Sequence, residues 1–294
     1  MTRLVVDSIC DLPELLIKKY YIAVLPLFVT IGDESYRDRV DITLEEVYEK
    51  MRSGIVPMTS QISSEEAEKT FRGILDDGDD LIYLSFSSGL SGTDQLAKII
   101  LDDIRPDYPD RRMEAVDSEA GSMGIGIQAL QVARWMAQNR DYDFILQGIY
   151  EMIPNTRHVF TLESLSWLAK GGRITPPAGY IGDKLQIKPI LDFPDKYLHV
   201  AGIVRGRKTA FKTLINMMNK DLADCPGQLI GIAHADDREA AETIEKMVHE
   251  ALPDAKTFIH PIGCVLGSHL GIGGVGILFF SKLVDGYDLM DEDF

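Results

Sequence analysis

The chain has 294 residues, 45% of them hydrophobic, with 30 basic and 46 acidic side chains and a formal charge of −16. This length exceeds what one hydrophobic core usually fills, so two domains are expected. The negative charge argues against nucleic acid, whose phosphates need cationic neutralisation, and against lasting residence on an anionic membrane surface.

Leu4 to Val6 reads as a buried strand. Asp11 and Glu14 behind it stand at capping-box spacing. Thr43 with Glu46 forms a second such box, followed by the stripe Leu44, Val47, Tyr48 and Met51. Ser63 with Glu66 forms a third, with Ala67, Phe71, Ile74 and Leu75 as the apolar face. Leu81 to Leu84 is the next strand, and a helix is expected from Gly92 through Leu101. Another strand follows at Glu114 to Val116, then helices at Ser122 to Gln138 and Asp143 to Ile153. Alternating strands and helices imply a mainly parallel sheet with right-handed crossovers, an N-terminal α/β/α domain over residues 1–155.

After about Pro154 the rhythm changes. Ile187 to Leu191 and Leu198 to Val204 suggest a hairpin. A helix near Lys208 to Leu222, a strand at Leu229 to Ala233, a helix at Arg238 to Leu252 and strands near Thr257 to Ile262 and Ile277 to Phe280 complete a second α/β domain, 156–294, with a mixed sheet. Asp288 to Phe294 reads as a frayed acidic end. Three widely spaced cysteines, Cys10, Cys225 and Cys264, show neither a disulfide framework nor a zinc pattern. With no secretory signal at the N-terminus, a cytoplasmic location is expected. The apolar run Gly271 to Phe280 is too short to span a bilayer.

Four segments could carry chemistry. Pro57 to Gln61 puts two hydroxyls and an amide in what reads as a loop between helices; taken alone it reads first as the N-cap region of the helix at Ser63. Ser87 to Thr93 follows a strand, opens a helix and holds four hydroxyls among two glycines. That is the carboxyl end of a parallel strand, where backbone N–H groups and a helix N-terminus suit an anion. Ordinary capping remains the alternative. Gly267 to Gly276 formally contains G-x-G-x-x-G over 271–276, but too little chain follows for a dinucleotide-binding unit. Its glycines are expected to let backbone pass close to a ligand or another segment and to keep His269 in a loop. Lys170-Gly171-Gly172-Arg173 suggests a helix C-cap with a basic residue held in a turn. That cluster and Arg205 to Lys208 are either solvated helix ends or sites for an anionic group.

Taken together, and in order, these segments resemble the DegV family of bacterial fatty-acid-binding proteins. The match includes Asp7-Ser8, Asp11-Leu12, Pro57 to Gln61, Ser87 to Thr93, Val116-Asp117-Ser118 with Ser122-Met123-Gly124, Lys170 to Ile174, Lys188-Pro189-Ile190, Arg205 with Arg207-Lys208, and Gly267-Ser268-His269. It departs at Ile272, where the family usually has proline, and Gly206 and Thr209 dilute the usual basic cluster.

The resemblance implies a DegV-like two-domain fold with one fatty acid, C14 to C18, between the domains. It implies that Thr59 and Ser91 bond the carboxylate, with His269 in the same network, backbone of Ser60 and Gly92 nearby and Arg173 close to the carboxyl end. It implies a lipid carrier rather than an enzyme, with no cofactor and no metal. A separate kinase would phosphorylate the presented carboxylate for phospholipid synthesis, with Arg205 and Arg207 helping it dock. Plausible tunnel walls are Phe28, Phe86, Met123, Ile125, Leu162 and Phe279. Two rival functions stand. One is a serine hydrolase using Ser91, His269 and Asp7 or Asp117, although Gly89-Leu90-Ser91-Gly92 is not the G-x-S-x-G elbow. The other is a sensor of another small organic acid, with a shorter cavity.

Overall fold

A computed structural model describes residues 1–175, 186–222, 225 and 227–288 of the chain. The acidic stretch after Asp288 lies outside the described residues. The first half runs β1 (Thr2–Asp7), α1 (Glu14–Lys19), β2 (Ala23–Leu25), β3 (Phe28–Ile31), β4 (Glu34–Arg37), α2 (Leu44–Arg52), β5 (Met58–Ser60), α3 (Ser64–Asp76), β6 (Asp80–Ser85), α4 (Thr93–Ile104), β7 (Met113–Asp117), α5 (Met123–Ala137) and α6 (Tyr142–Met152). The second half runs β8 (Thr156–Thr161), α7 (Ser166–Lys170), β9 (Ile187–Asp192), β10 (His199–Arg205), α8 (Arg207–Asp221), β11 (Leu229–His234), α9 (Arg238–Ala251), β12 (Lys256–Pro261), α10 (Cys264–Leu270) and β13 (Val275–Phe280).

This is a two-domain α/β protein. Strands β2-β1-β6-β7 make a wholly parallel sheet, with α3 and α4 on one face and α5 with α6 on the other. Strands β10-β9-β8-β13-β11-β12 make a mixed sheet in which only β11 and β12 run parallel. Both the alternating pattern and the expected hairpin are present. A third, antiparallel sheet of order β4-β3-β5 arises from segments that carry little periodicity of their own.

Two local readings change. Pro57 to Gln61 is not a loop, because Met58 to Ser60 pair with β3 as an edge strand, Val29 opposite Thr59. Asp11 does not cap α1: Pro13 holds the N-cap position without a side-chain bond, and the Asp11 carboxylate points inward. The box at Thr43 forms in full, whereas Ser63 caps α3 without the reciprocal Glu66 bond.

Side-chain alternation divides the mixed sheet. Val275, Ile277 and Phe279 of β13 pack in the cluster with α8 and α9, while Leu278 and Phe280 face the cluster that holds α5. Helix α5 contacts both the parallel and the mixed sheet, and twelve of its fifteen residues are buried. Glycines permit that approach: a Cβ on Gly124 would fall 2.1 Å from His158 Nε2, and one on Gly126 would fall 2.7 Å from the Cys10 carbonyl. Gly124→Ala is therefore expected to lower unfolding free energy by about 1–3 kcal/mol through overpacking, measured by urea denaturation.

Candidate ligand-binding site

Between the two sheets lies a cleft with a polar end and an apolar end. The polar end holds about 910 Å³ of atom-free space, mouth included, and is lined by Thr59, Ser60, Gln61, Ser91, Gly92, Arg173 and His269. The apolar end holds about 540 Å³ of atom-free space, open space included, among Phe86, Phe160, Leu162, Phe193, Leu266 and Leu278, with Ser122 and His158 at its wall. Phe86, Leu90, Leu198, Leu266 and Leu270 line both, so the two spaces adjoin.

All six residues expected at a head group meet at the polar end. Thr59 reaches it from β5, and its Oγ1 lies 2.6 Å from His269 Nε2. His269 is on the last turn of α10 and not in a loop. Gly263 and Gly267 hide this helix from propensity, yet Gly267 is where a Cβ would fall 2.5 Å from the Tyr48 hydroxyl. The turn holding Ile272 comes after the helix, so the helix sets the position of His269. Gly171 makes room for the imidazole, since a Cβ there would fall 2.1 Å from Nδ1. Nδ1 itself is buried without a hydrogen-bond partner.

Burial, with Arg173 nearby, lowers the His269 pKa from 6.5 to about 4, so the ring is neutral at physiological pH. Arg173 follows the α7 C-cap and donates to the Gly171 carbonyl at 2.6 Å. Burial pushes its guanidinium down from the usual range. It has no carboxylate partner among the described residues. Ser91 shares a hydrogen bond with Thr93 Oγ1 at 2.9 Å and accepts from Thr93 N at 3.3 Å, so it also helps start α4. Gly92 leaves space for Gln61, whose Oε1 would lie 2.8 Å from a Cβ at 92.

The residues for a serine-hydrolase triad are not assembled. His269 bonds Thr59 and Ser91 bonds Thr93. Asp7 accepts from Phe86 N at 2.6 Å, Ile9 N and the Tyr83 hydroxyl. Asp117 accepts from Ser88 N and Glu119 N. Both aspartates shape loops instead of orienting an imidazole.

Of the expected walls, Phe86 and Leu162 line the cleft. Phe28, Met123, Ile125 and Phe279 do not; Met123 and Ile125 are buried core, and Phe279 points to the opposite face of β13. Leu266 and Leu270 were missed with α10: one helical turn apart, they share the face that lines the cleft, and Ile262 joins them from just before the helix. Arg205 is exposed on β10 and donates to Gln186 Oε1 at 3.3 Å. Arg207 is held internally, by Asp237 and the Gly273 carbonyl.

The mixed α/β scaffold carries a cleft that is hydroxylic and cationic at one end and hydrocarbon at the other. The chain belongs to the DegV family: the family described as "Uncharacterised protein, DegV family" matches residues 1–282. A DegV domain-containing protein of Clostridium perfringens is 36% identical over 276 residues, covering 93% of this chain and 95% of that one. One from Caldanaerobacter subterraneus is 35% identical over 279 residues, covering 95% and 98%. Among solved structures, a fatty-acid-binding DegV family protein from Thermus thermophilus superposes with a TM-score of 0.87 at 28% identity, covering 96% of this chain and 99% of its own. A stearic acid-binding protein from Eubacterium ventriosum gives 0.87 at 26% identity, covering 95% and 97%. No helix among the described residues is long and apolar enough to cross a membrane.

The neutral state of His269 is directly testable. Its folded pKa lies below its unfolded value, so its contribution to stability is complete above about pH 6.5 and is lost as the pH falls toward 4. NMR titration of the ligand-free protein is expected to leave the His269 ring signals flat from pH 8 to about 5, and His269→Gln should lose less stability than wild type between pH 7 and 4.

Proposed function

We propose that this chain is a carrier of one long-chain fatty acid, C14 to C18, held in the cleft with its carboxylate at the polar end. The observation that carries this reading is a hydrocarbon-walled slot adjoining a polar cavity that gathers Thr59, Ser91, Arg173 and His269. The solved relatives from Thermus thermophilus and Eubacterium ventriosum, which bind fatty acid and stearic acid, support it. Removing about 14–16 methylenes from water contributes on the order of 10 kcal/mol at about 0.8 each. That gain is blind to the head group, which polar contacts must select.

In this reading Thr59 and Ser91 bond the carboxylate and backbone of Ser60 and Gly92 assists. His269 donates from Nε2 to Thr59 Oγ1, leaving the Thr59 hydrogen free to point at the ligand. Arg173 supplies nearby positive charge without a locked bidentate pair. The two domains divide near residue 155, the ligand sits between them, and the protein works without metal or cofactor in the cytoplasm. A separate kinase phosphorylates the carboxylate for phospholipid synthesis, and exposed Arg205 serves its docking better than Arg207, which is already engaged with Asp237.

Mass spectrometry of an organic extract of purified protein is expected to find one C14 to C18 fatty acid. Ser91→Ala should weaken oleate binding by about 1–3 kcal/mol, the loss of one hydrogen bond to a charged group. A protein that purifies empty and ignores added oleate would sink the reading. For the kinase, Arg205→Glu is expected to slow acyl-phosphate formation by a bacterial fatty acid kinase while oleate affinity is unchanged; an unaltered rate would remove Arg205 from the docking surface.

A further inference from the structure

Asp11 is buried where three elements meet. It follows the turn that ends β1, adopts a left-handed conformation with φ of 49°, and is 3% exposed. Its Oδ1 accepts from Gly263 N at 2.9 Å. Its Oδ2 accepts from the hydroxyl of Ser122. Gly263 is the N-cap residue of α10, which ends on His269 and Leu270. Ser122, at φ 52°, is the N-cap residue of α5 and lines the apolar slot. One carboxylate therefore ties the parallel sheet to the helix that carries His269 and to the helix between the sheets.

The contact is specific in shape. A Cβ on Gly263 would fall 2.7 Å from Asp11 Oδ1, so the approach requires glycine there. Helix α10 has seven residues and no side-chain cap of its own. So short a helix is not stable alone and takes its position from tertiary contacts. Tyr48 provides a second one, donating to the Ile262 carbonyl at 3.0 Å just before the helix. Asp38 and Arg39 also lie close enough to act on the Asp11 charge. Burial raises the Asp11 pKa to about 7, despite the bonds from Ser122 and Gly263 that favour the ionised form. A carboxyl group kept there at such cost has a geometric task.

We propose that Asp11 is a positioning residue of the binding site: by anchoring Gly263 it fixes the start of α10 and so sets His269 against Thr59. This rests on the reading of His269 as part of the head-group site. A supporting contact of this kind matters because polar groups that select a ligand must be held to within about 0.5 Å.

Two measurements on the full chain test it. In ligand-free protein, ¹⁵N NMR follows the His269 imidazole, and Asp11→Ala is expected to shift its Nε2 resonance as the bond to Thr59 loosens. In oleate titrations Asp11→Ala should weaken binding about tenfold, and the double variant with His269→Ala should lose no more than His269→Ala alone. Asp11→Asn keeps an acceptor oxygen for Gly263 N and should restore both readouts. Gly263→Ala pushes the same contact apart and should reproduce the shift, which serves if Asp11→Ala does not fold. An unmoved His269 resonance in Asp11→Ala or Gly263→Ala, losses that add in the double variant, or Asp11→Asn behaving like Asp11→Ala would each overturn the proposal. If His269→Ala leaves oleate affinity unchanged, the head-group reading of His269 fails, and the NMR arm still decides whether Asp11 positions the ring.

Discussion

Helix α5 has almost no solvent face, and the parallel and mixed sheets both pack against it. A helix buried nearly all round needs small residues wherever a neighbour comes close. Gly124 and Gly126 supply them, against His158 and the Cys10 carbonyl. The cleft lies at the N-terminal end of this helix, where Gly121 and Ser122 precede it and add little bulk. The walls there come from elsewhere: Phe86 from the β6–α4 loop, Phe193 from the β9–β10 hairpin, Leu266 from α10. The hydrocarbon slot is thus a by-product of how the two sheets share one helix. Its floor can be placed by register. His158 and Leu278 form one rung of β8 and β13, and the next rung on the same face, Thr156 with Phe280, is closed by Gln128 of α5, which donates to Thr156 Oγ1 at 2.7 Å.

The buried acids belong to the same construction. Burial raises the Asp7 pKa to about 7, but it receives hydrogen bonds from Phe86 N, Ile9 N and Tyr83. The bond from Phe86 N fixes the loop that leads to Ser91. Asp11 does the same for α10. Two carboxylates in an acidic chain thus hold backbone in place, and the polar end of the cleft is left with hydroxyls, the neutral imidazole of His269 and the guanidinium of Arg173. This is why a serine, a histidine and several aspartates can coexist near one cavity without forming a hydrolytic triad.

Most of the fold is legible because its strands and helices carry strong periodicity and caps. Thr43 with Glu46 forms the box its spacing announces, and the hairpin of β9 and β10 follows from two apolar runs around a turn. What stays hidden depends on partners distant in sequence. Met58 to Ser60 becomes a strand only because β3 lies thirty residues earlier, and three residues give no period to read. Helix α10 is masked by glycines that exist for Tyr48 and Asp11, both more than two hundred residues away. Phe279 was expected on the wall and Leu278 is found there. In a strand apolar on both faces, alternation gives no clue to which face is which. The residues that gather at the polar end were legible only as an ordered set; none of Thr59, Ser91 or Arg173 is distinctive alone.

Orientation within the cleft follows from exposure. Ser60 and Gly92 at the polar end are exposed, whereas His158 and Leu278 at the other end are buried. A fatty acid bound as proposed would therefore keep its carboxylate nearest the surface and its methyl end at the His158–Leu278 rung. Tail burial supplies most of the affinity in that arrangement, and it need not be given up for another protein to reach the carboxylate. Hydroxyl donors suit such a task better than a bidentate arginine clamp. They satisfy a charge that would otherwise cost several kcal/mol to bury, yet leave its oxygens less firmly paired. Arg173 fits this balance: it is close to the polar end, but its fork is already committed in part to the Gly171 carbonyl. A cleft built this way would hold such a ligand chiefly by its hydrocarbon end.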